Sequence, residues 1–161
     1  MKITFIAAIA AAAVSVAAPA RADQQCKPVV GSFEAQITTD GCTAGPGLLC
    51  TSGRVWGGIQ GTYFFTMAIL VPTSAVAPPT ASVPSIFFFT GNSAVTLKDG
   101  VHAAGIDTGT IDLPFIPGGQ GGLASLITFS GPVSGQIRLR GELDPVAGTT
   151  AGDYMGTICQ Q

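Results

Sequence analysis

Hydrophobic and polar residues alternate with a period of two along most of this chain, which predicts β-strands. The longest such stretch runs from Thr51 to Val71. Its odd positions form a mostly apolar face: Val55, Gly57, Ile59, Gly61, Tyr63, Phe65, Met67 and Ile69. A flat strand of this length would reach about 66 Å at roughly 3.3 Å per residue. That is too long for a small domain, so we expect the strand to bend or break at Gly57, Gly58 and Gly61.

Shorter alternating runs separated by turn signals make up the rest of the chain. The cleanest alternation lies in Gly135–Leu143, and Lys98-Asp99-Gly100 predicts a tight turn between two paired strands. The other predicted strands are Val29–Thr38, Ser85–Thr90 with its continuation Ser93–Lys98, Val101–Asp107, Leu123–Phe129 and Tyr154–Cys159. No amphipathic helix is predicted. This pattern predicts an all-β fold, a single small antiparallel β-barrel of about eight strands.

Two long loops interrupt the predicted strands. Pro72–Pro84, with Pro78-Pro79 at its middle, has no periodicity, and we expect it to lie exposed over one mouth of the barrel. Leu113–Gly122 is the second loop, and it contains the spelling G-x-G-x-x-A. No strand and crossover helix surround that motif, so we interpret it as a flexible loop without a dinucleotide site.

The N-terminal segment is typical of a secretory signal peptide. Met1–Ala22 pairs an early Lys2 with a short, alanine-rich apolar run and ends in an A-x-A motif. We therefore predict cleavage after Ala22, with a retained membrane anchor as the alternative. The mature chain, residues 23–161, has the length of one domain and contains no apolar helix long enough to span a bilayer. The predicted location is secreted or periplasmic.

Four cysteines remain after cleavage: Cys26, Cys42, Cys50 and Cys159. In an oxidising compartment four cysteines predict two disulfides, for which three pairings are possible. We favour Cys42 with Cys50, which closes a short loop. We pair Cys26 with Cys159 because closure of a barrel makes its first and last strands neighbours. A zinc site is the alternative, but no C-x-x-C pair is present, and we expect no metal and no cofactor.

The charge balance argues against a nucleic-acid partner. The mature chain has five basic residues against nine acidic ones, a net charge of −4, whereas nucleic-acid binding needs a basic surface. Charged residues are only 10% of the full chain, and 47% of it is hydrophobic. That composition suits a sheet buried on one or both faces and argues against disorder.

Five segments of the mature chain resemble bacterial members of the allene oxide cyclase and dirigent barrel group. In chain order they are TSGRVWGGIQGTYFFTM, FFTGNSAVTLKDG, ASLITFSG, GQIRLRGELDPVAG and AGDYMGTIC. The resemblance implies an eight-stranded, calycin-like antiparallel barrel, and plant members of the group catalyse or steer cyclisation and radical coupling. The chain departs from the group at residues 131–135, where members often carry a longer glycine-rich turn with an aromatic residue. No catalytic residue of the group is carried over to a position of this chain.

Few side chains have the chemistry of a catalytic site. Glu34 and Tyr63 are the first candidates for acid, base or hydrogen-bonding roles, and Asp107 and Tyr154 are secondary candidates. A purely structural role is the alternative for each of the four. His102 is the only histidine; no G-x-S-x-G motif accompanies it, and we expect it to be solvated. The predicted strand Gly135–Leu143 carries three alternating charged residues, Arg138, Arg140 and Glu142. We expect them to form an exposed cross-strand charge ladder; the alternative is that one of them enters the lumen.

The first functional hypothesis is a barrel that binds a small apolar molecule in its lumen. The candidate lining residues are Phe64, Phe65, Met67, Phe87, Phe89 and Phe115. The first alternative is a cyclase or isomerase that acts by confining its substrate. A buried carboxyl with a raised pKa would favour that enzyme, and a wholly apolar lumen would favour the binder.

Two further hypotheses concern surfaces rather than the lumen. A structural or interaction protein of the cell envelope would have a filled barrel and use the Pro72–Pro84 loop as a contact surface. An outer-membrane barrel would fit the length and the signal peptide, but the chain lacks paired aromatic girdles and a C-terminal aromatic residue. Since barrels of this kind often pair through exposed sheet faces, a homo-oligomer is a further expectation.

Overall fold

The computed structural model describes residues 25–73, 85–113 and 119–160, which form eight antiparallel strands. They are β1 (Gln25–Thr38), β2 (Cys50–Gly57), β3 (Gly61–Pro72), β4 (Ser85–Leu97), β5 (His102–Leu113), β6 (Gly121–Ser130), β7 (Val133–Asp144) and β8 (Thr149–Gln160). Each strand pairs with the next, and β8 pairs with β1, so the sheet is a closed barrel and the predicted fold class is confirmed. The predicted signal peptide, most of the Pro72–Pro84 loop and Phe115 lie outside the described residues.

The long alternating stretch from Thr51 to Val71 is a hairpin. β2 ends at Gly57, whose φ of 105° lies in the left-handed region that glycine favours. β3 begins at Gly61, which pairs with Val55 across the turn. The glycines thus break the stretch into two paired strands.

A β-bulge in β3 changes which residues face the core. Met67 pairs with Gly91, and the register between β3 and β4 then shifts before Ile69. One extra residue reverses the side on which the following side chains lie. Ile69 is therefore 49% exposed, whereas Leu70 packs against the core. The prediction that Ile69 shares the apolar face of Met67 was wrong for this reason.

The middle of the barrel is filled by side chains, a layer that we call the central plug. Its members surround a void of only about 10 Å³: Phe33, Val55, Ile59, Tyr63, Val95, Ile127, Ile137, Leu139 and Tyr154. A void of that volume holds one water molecule at most. The central plug therefore separates the two ends of the lumen.

Tyr154 ties the central plug to the turn between β2 and β3. Its hydroxyl accepts a hydrogen bond from the Ile59 N–H at 2.7 Å and lies 3.1 Å from the carbonyl oxygens of Trp56 and Ile59. A Cβ at Gly31 would lie 2.5 Å from that hydroxyl. The missing side chain at Gly31 therefore makes room for the Tyr154 ring to reach the turn.

Both predicted disulfides are present. Cys26 and Cys159 are direct partners in the ladder between β1 and β8, so their bridge follows from closure of the barrel. Cys42 and Cys50 close the loop between β1 and β2. Two disulfides are compatible with an extracellular or periplasmic location. Within the described ranges, no helix is long and apolar enough to cross a membrane.

The outer surface has a charged half and a nearly neutral half. The charged half is formed by β1, β2, β7 and β8, whose exposed ionic side chains on outward positions include Glu34, Arg54, Arg138, Arg140, Glu142 and Asp153. Glu34 lies opposite Arg54, and Arg140 lies opposite Asp153. On the outward positions of β3 to β6, within the described residues, Asp112 is the one carboxylate and no lysine or arginine occurs.

Candidate functional site

The two ends of the barrel differ in their connections. The last residues of β1, β3, β5 and β7 lie at one end, which we call the long-loop end. The turns after β2, β4 and β6 lie at the other end, together with the first residue of β1, Gln25, and the last residue of β8, Gln160, and we call it the short-turn end. A cavity lies at each end of the lumen.

The cavity at the long-loop end has a volume of about 250 Å³ and an apolar wall. We call it the long-loop cavity. The side chains near the central plug are Phe33, Tyr63, Phe65, Met67, Phe89 and Leu139, and those nearer the mouth include Ile37, Leu49, Leu70, Ile111, Leu123 and Leu143. Among the described residues of this wall, Asp107 and Tyr63 have the ionisable side chains.

Asp107 faces inward because of its position in β5. Its direct partners in the neighbouring strands are Gly91 and Ile127, both of which are buried. Strand alternation gives Asp107 the same direction as the buried Ala103, four residues earlier. The side chain is only 3% exposed, so the carboxyl lies in the apolar lumen.

Two hydroxyl groups contact one oxygen of this carboxyl. The Tyr63 hydroxyl donates to Asp107 Oδ2 at 3.3 Å, and the Ser93 hydroxyl donates to the same atom at 3.5 Å. Asp107 Oδ1 has no hydrogen-bond partner among the described residues, and neither has Ser125 Oγ. A buried polar atom without a partner costs about 1–3 kcal/mol. One carboxyl oxygen is therefore held by two hydroxyl groups, and the other is enclosed without a hydrogen-bond partner among the described residues.

Burial sets the protonation of this cluster. It raises the pKa of Asp107 above its ordinary value, and the hydroxyls of Ser125, Tyr63 and Ser93 and the Thr108 N–H lower it by less. The Ser125 hydroxyl lowers the pKa of Asp107 although it makes no hydrogen bond of normal geometry within the described residues. Burial, followed by the Asp107 charge, raises the pKa of Tyr63, so the phenol stays neutral. The carboxyl thus holds its proton to a higher pH than an exposed aspartate.

Of the aromatic and methionine residues predicted to line the lumen, three do so: Phe65, Met67 and Phe89. Phe87 lies two residues from Phe89 on the same side of β4, but it is half-buried and is not part of the cavity wall. Phe64 faces outward, into a groove on the outer surface, because neighbours in a strand point to opposite faces. The prediction that Phe64 lines the lumen was therefore wrong.

The two weak catalytic candidates, Tyr63 and Glu34, lie in different environments. Tyr63 is buried in the lumen beside Asp107, whereas Glu34 is exposed on the outer face of β1. His102 is also exposed, with its Nδ1 3.0 Å from Thr96 Oγ1. Sequence reasoning named Asp107 only as a secondary candidate and missed Ser93 and Ser125. Since Ala and Ile occupy both faces of β5, its pattern contains no clear signal for the direction of Asp107.

The described residues contain no group of three or more potential metal ligands. The cluster of Asp107, Tyr63 and Ser93 can instead hold a polar group of a ligand, or exchange a proton with it. Comparison of the chain with protein-family models, with curated proteins and with solved structures finds no match. The resemblance to the allene oxide cyclase and dirigent group therefore stays a prediction, and the function is argued from the cavity itself.

Proposed function

We propose that this barrel binds a small, largely apolar molecule in the long-loop cavity, with one polar group of that molecule directed at Asp107. The observation that supports this most strongly is an apolar cavity of about 250 Å³ with a buried carboxyl in its wall. An apolar cavity of about 150 Å³ is large enough for benzene. The ligand is accordingly about the size of one ring with a short substituent.

The polar group is best served by a hydroxyl. When Asp107 is protonated, its proton resides on Oδ1, because Oδ2 already accepts from Tyr63 and Ser93. Oδ1 is then a donor, and after ionisation it is an acceptor. A hydroxyl group can accept in the first case and donate in the second, so it satisfies Oδ1 in both protonation states.

The test compares 4-ethylphenol with ethylbenzene, which share a skeleton and differ in the hydroxyl. Methyl NMR of the oxidised protein should show shifts at Met67 and Leu123 on addition of either compound, with 4-ethylphenol the tighter ligand. Asp107→Asn should narrow that difference, whereas Glu34→Gln, on the outer face, should leave it unchanged. Failure of both compounds to shift these methyls would contradict the proposal. Native mass spectrometry of the exported protein would also reveal a ligand retained during purification.

A cyclase or isomerase is the second candidate, and the raised pKa of the buried Asp107 favours it. In this mechanism Oδ1–H protonates a bound substrate, and the Tyr63 and Ser93 hydroxyls stabilise the resulting carboxylate. The substrate returns a proton from another position, so that no mass is gained or lost. Chromatography of a retained ligand after incubation with wild type, Asp107→Asn and Tyr63→Phe would separate turnover from binding. An unchanged ligand would leave only the binding function.

We infer that the mature protein acts outside the cytosol, as a secreted or periplasmic protein. The two disulfides are compatible with such a compartment, and Met1–Ala22 has the pattern of a signal peptide. N-terminal sequencing of the protein recovered from the bacterial periplasm should begin at Asp23. A first residue of Met1 would contradict the proposed processing.

We also propose that copies of the chain associate through the neutral half of the barrel. Val71 lies opposite Phe88, and with Ile69 and Ile86 they form a patch in which each side chain is 39–49% exposed. An exposed apolar patch of this kind marks an interaction surface. Sedimentation velocity should give a mass above that of the monomer, which Phe88→Lys should reduce and Gln136→Lys should not. A monomeric wild type would contradict the association.

A further inference from the structure

The short-turn end of the lumen contains a second cavity, with a volume of about 350 Å³. We call it the short-turn cavity. Its floor consists of six apolar residues, each at most 5% exposed: Val29, Val95, Ala103, Phe129, Val133 and Ile158. The central plug separates this floor from the long-loop cavity. The two cavities are therefore independent of one another.

Two lysines lie at the rim of this cavity, Lys27 and Lys98. Lys27 belongs to β1 and is the direct partner of the inward-facing Ile158. Every arginine in the described strands lies on an outward position, so Lys27 is the one cationic residue there on a lumen-facing position. Within the part of the chain that the structure describes, neither lysine has an ion-pair partner.

One carboxylate, that of Asp99, also lies at the rim. Its Oδ1 accepts a hydrogen bond from the Val101 N–H at 3.1 Å, an interaction that stabilises the turn between β4 and β5. Among the described residues, the rim thus combines two ammonium groups without ion-pair partners and a carboxylate that is engaged in its own turn. An apolar floor below positive charge is complementary to an amphipathic anion.

We propose that the short-turn cavity binds a single-chain amphipathic anion, with its alkyl tail on the apolar floor and its carboxylate at the rim beside Lys27 and Lys98. If a methylene group occupies about the 30 Å³ of a water molecule, the cavity holds roughly ten carbons. This proposal does not depend on the function proposed for the long-loop cavity.

The first test is methyl NMR with decanoate and with decanol, which have the same tail length. Decanoate should shift the methyl signals of Val133 and Ile158 and leave those of Met67 and Leu143 in place. Shortening the ligand to octanoate should weaken binding about fifteenfold, since each buried methylene contributes about fourfold. Absence of binding at millimolar decanoate, or shifts confined to Met67 and Leu143, would overturn the proposal.

The second test removes the rim charge. The double variant Lys27→Gln/Lys98→Gln should weaken decanoate binding by about threefold to tenfold and leave decanol binding unchanged. Arg138→Gln/Arg140→Gln is the matched control, because it removes the same charge from the outer face of β7; it should leave decanoate binding close to that of the wild type. An equal loss of decanoate affinity in both double variants would show that net charge, and not the rim lysines, causes the effect. Unchanged affinity in the lysine variant would refute the role of the rim.

Discussion

Replacing Asp107 with asparagine should change how the stability of the barrel depends on pH. The pKa of Asp107 is raised in the folded protein, mainly by burial. A carboxyl with a raised pKa favours folding most while it is protonated in both states, below its unfolded pKa of about 3.9. That contribution is lost as the pH rises toward the folded pKa, and above it the loss is complete. Asparagine has almost the same shape and no such titration.

The magnitude follows from linkage. Between the unfolded and folded pKa values, the wild type should lose stability relative to Asp107→Asn by up to about 1.4 kcal/mol per pH unit. The difference then becomes constant at the pH that equals the folded pKa. The height of this plateau and the pH at which it begins report the same pKa shift, so the two readings must agree.

Urea unfolding from about pH 3 to about pH 8 measures this difference directly. Other carboxyl groups titrate equally in both proteins, so their effects cancel. Glu34→Gln is the control, since Glu34 is exposed on the outer face, and its difference from wild type should stay within about 0.5 kcal/mol at every pH. If the wild-type and Asp107→Asn curves are parallel, Asp107 does not titrate differently in the folded protein, and the reasoning about the lumenal carboxyl fails.

Two further predictions concern stability. Tyr154→Phe should cost about 1–3 kcal/mol in urea unfolding, because the Ile59 N–H loses its acceptor; an unchanged midpoint would mean that water replaces the phenol. Loss of the Cys26–Cys159 bridge should cost about 5 kcal/mol and loss of the Cys42–Cys50 bridge about 2.5 kcal/mol from loop-closure entropy alone, since the sequence separations are 133 and 8. Paired Cys→Ala variants measure this, and a larger cost for the short loop would show that local packing around the buried Cys50 outweighs chain entropy.

The fold was predictable because each strand buries one face. In Gly135–Leu143 every second residue is charged or amide-bearing, so the alternation itself assigns the faces, and Ile137 and Leu139 are buried as that pattern requires. The pairing of Cys26 with Cys159 followed from closure alone. The direction of Ile69 could not be predicted, since the bulge after Met67 arises from pairing with β4 and has no signal within β3.

The candidate site was harder to predict because its direction depends on strand phase. In Val101–Asp107 one face reads Val101, Ala103, Gly105 and Asp107 and the other reads His102, Ala104 and Ile106. Each face thus carries one ionisable side chain, so the alternation does not distinguish the inward position of Asp107 from an outward one. Tyr63 was identified because it belongs to a strongly apolar face. Its neighbour Phe64 was assigned to the lumen by hydrophobicity alone, and alternation places it outside.

The two cavities differ in chemistry because the central plug keeps their charged groups apart. Asp107 belongs to the long-loop cavity and Lys27 to the short-turn cavity, and the layer between them leaves a void of only about 10 Å³. A charge or polar group in an apolar lumen is stabilised only by a partner, and these two cannot serve each other. The ligands that we propose for the two ends differ accordingly, a hydroxyl-bearing ring at one and an alkyl carboxylate at the other. Asp107→Asn should therefore change only the binding of 4-ethylphenol, and the double lysine variant only that of decanoate. Cross-effects between the ends would show that the plug moves when a ligand binds.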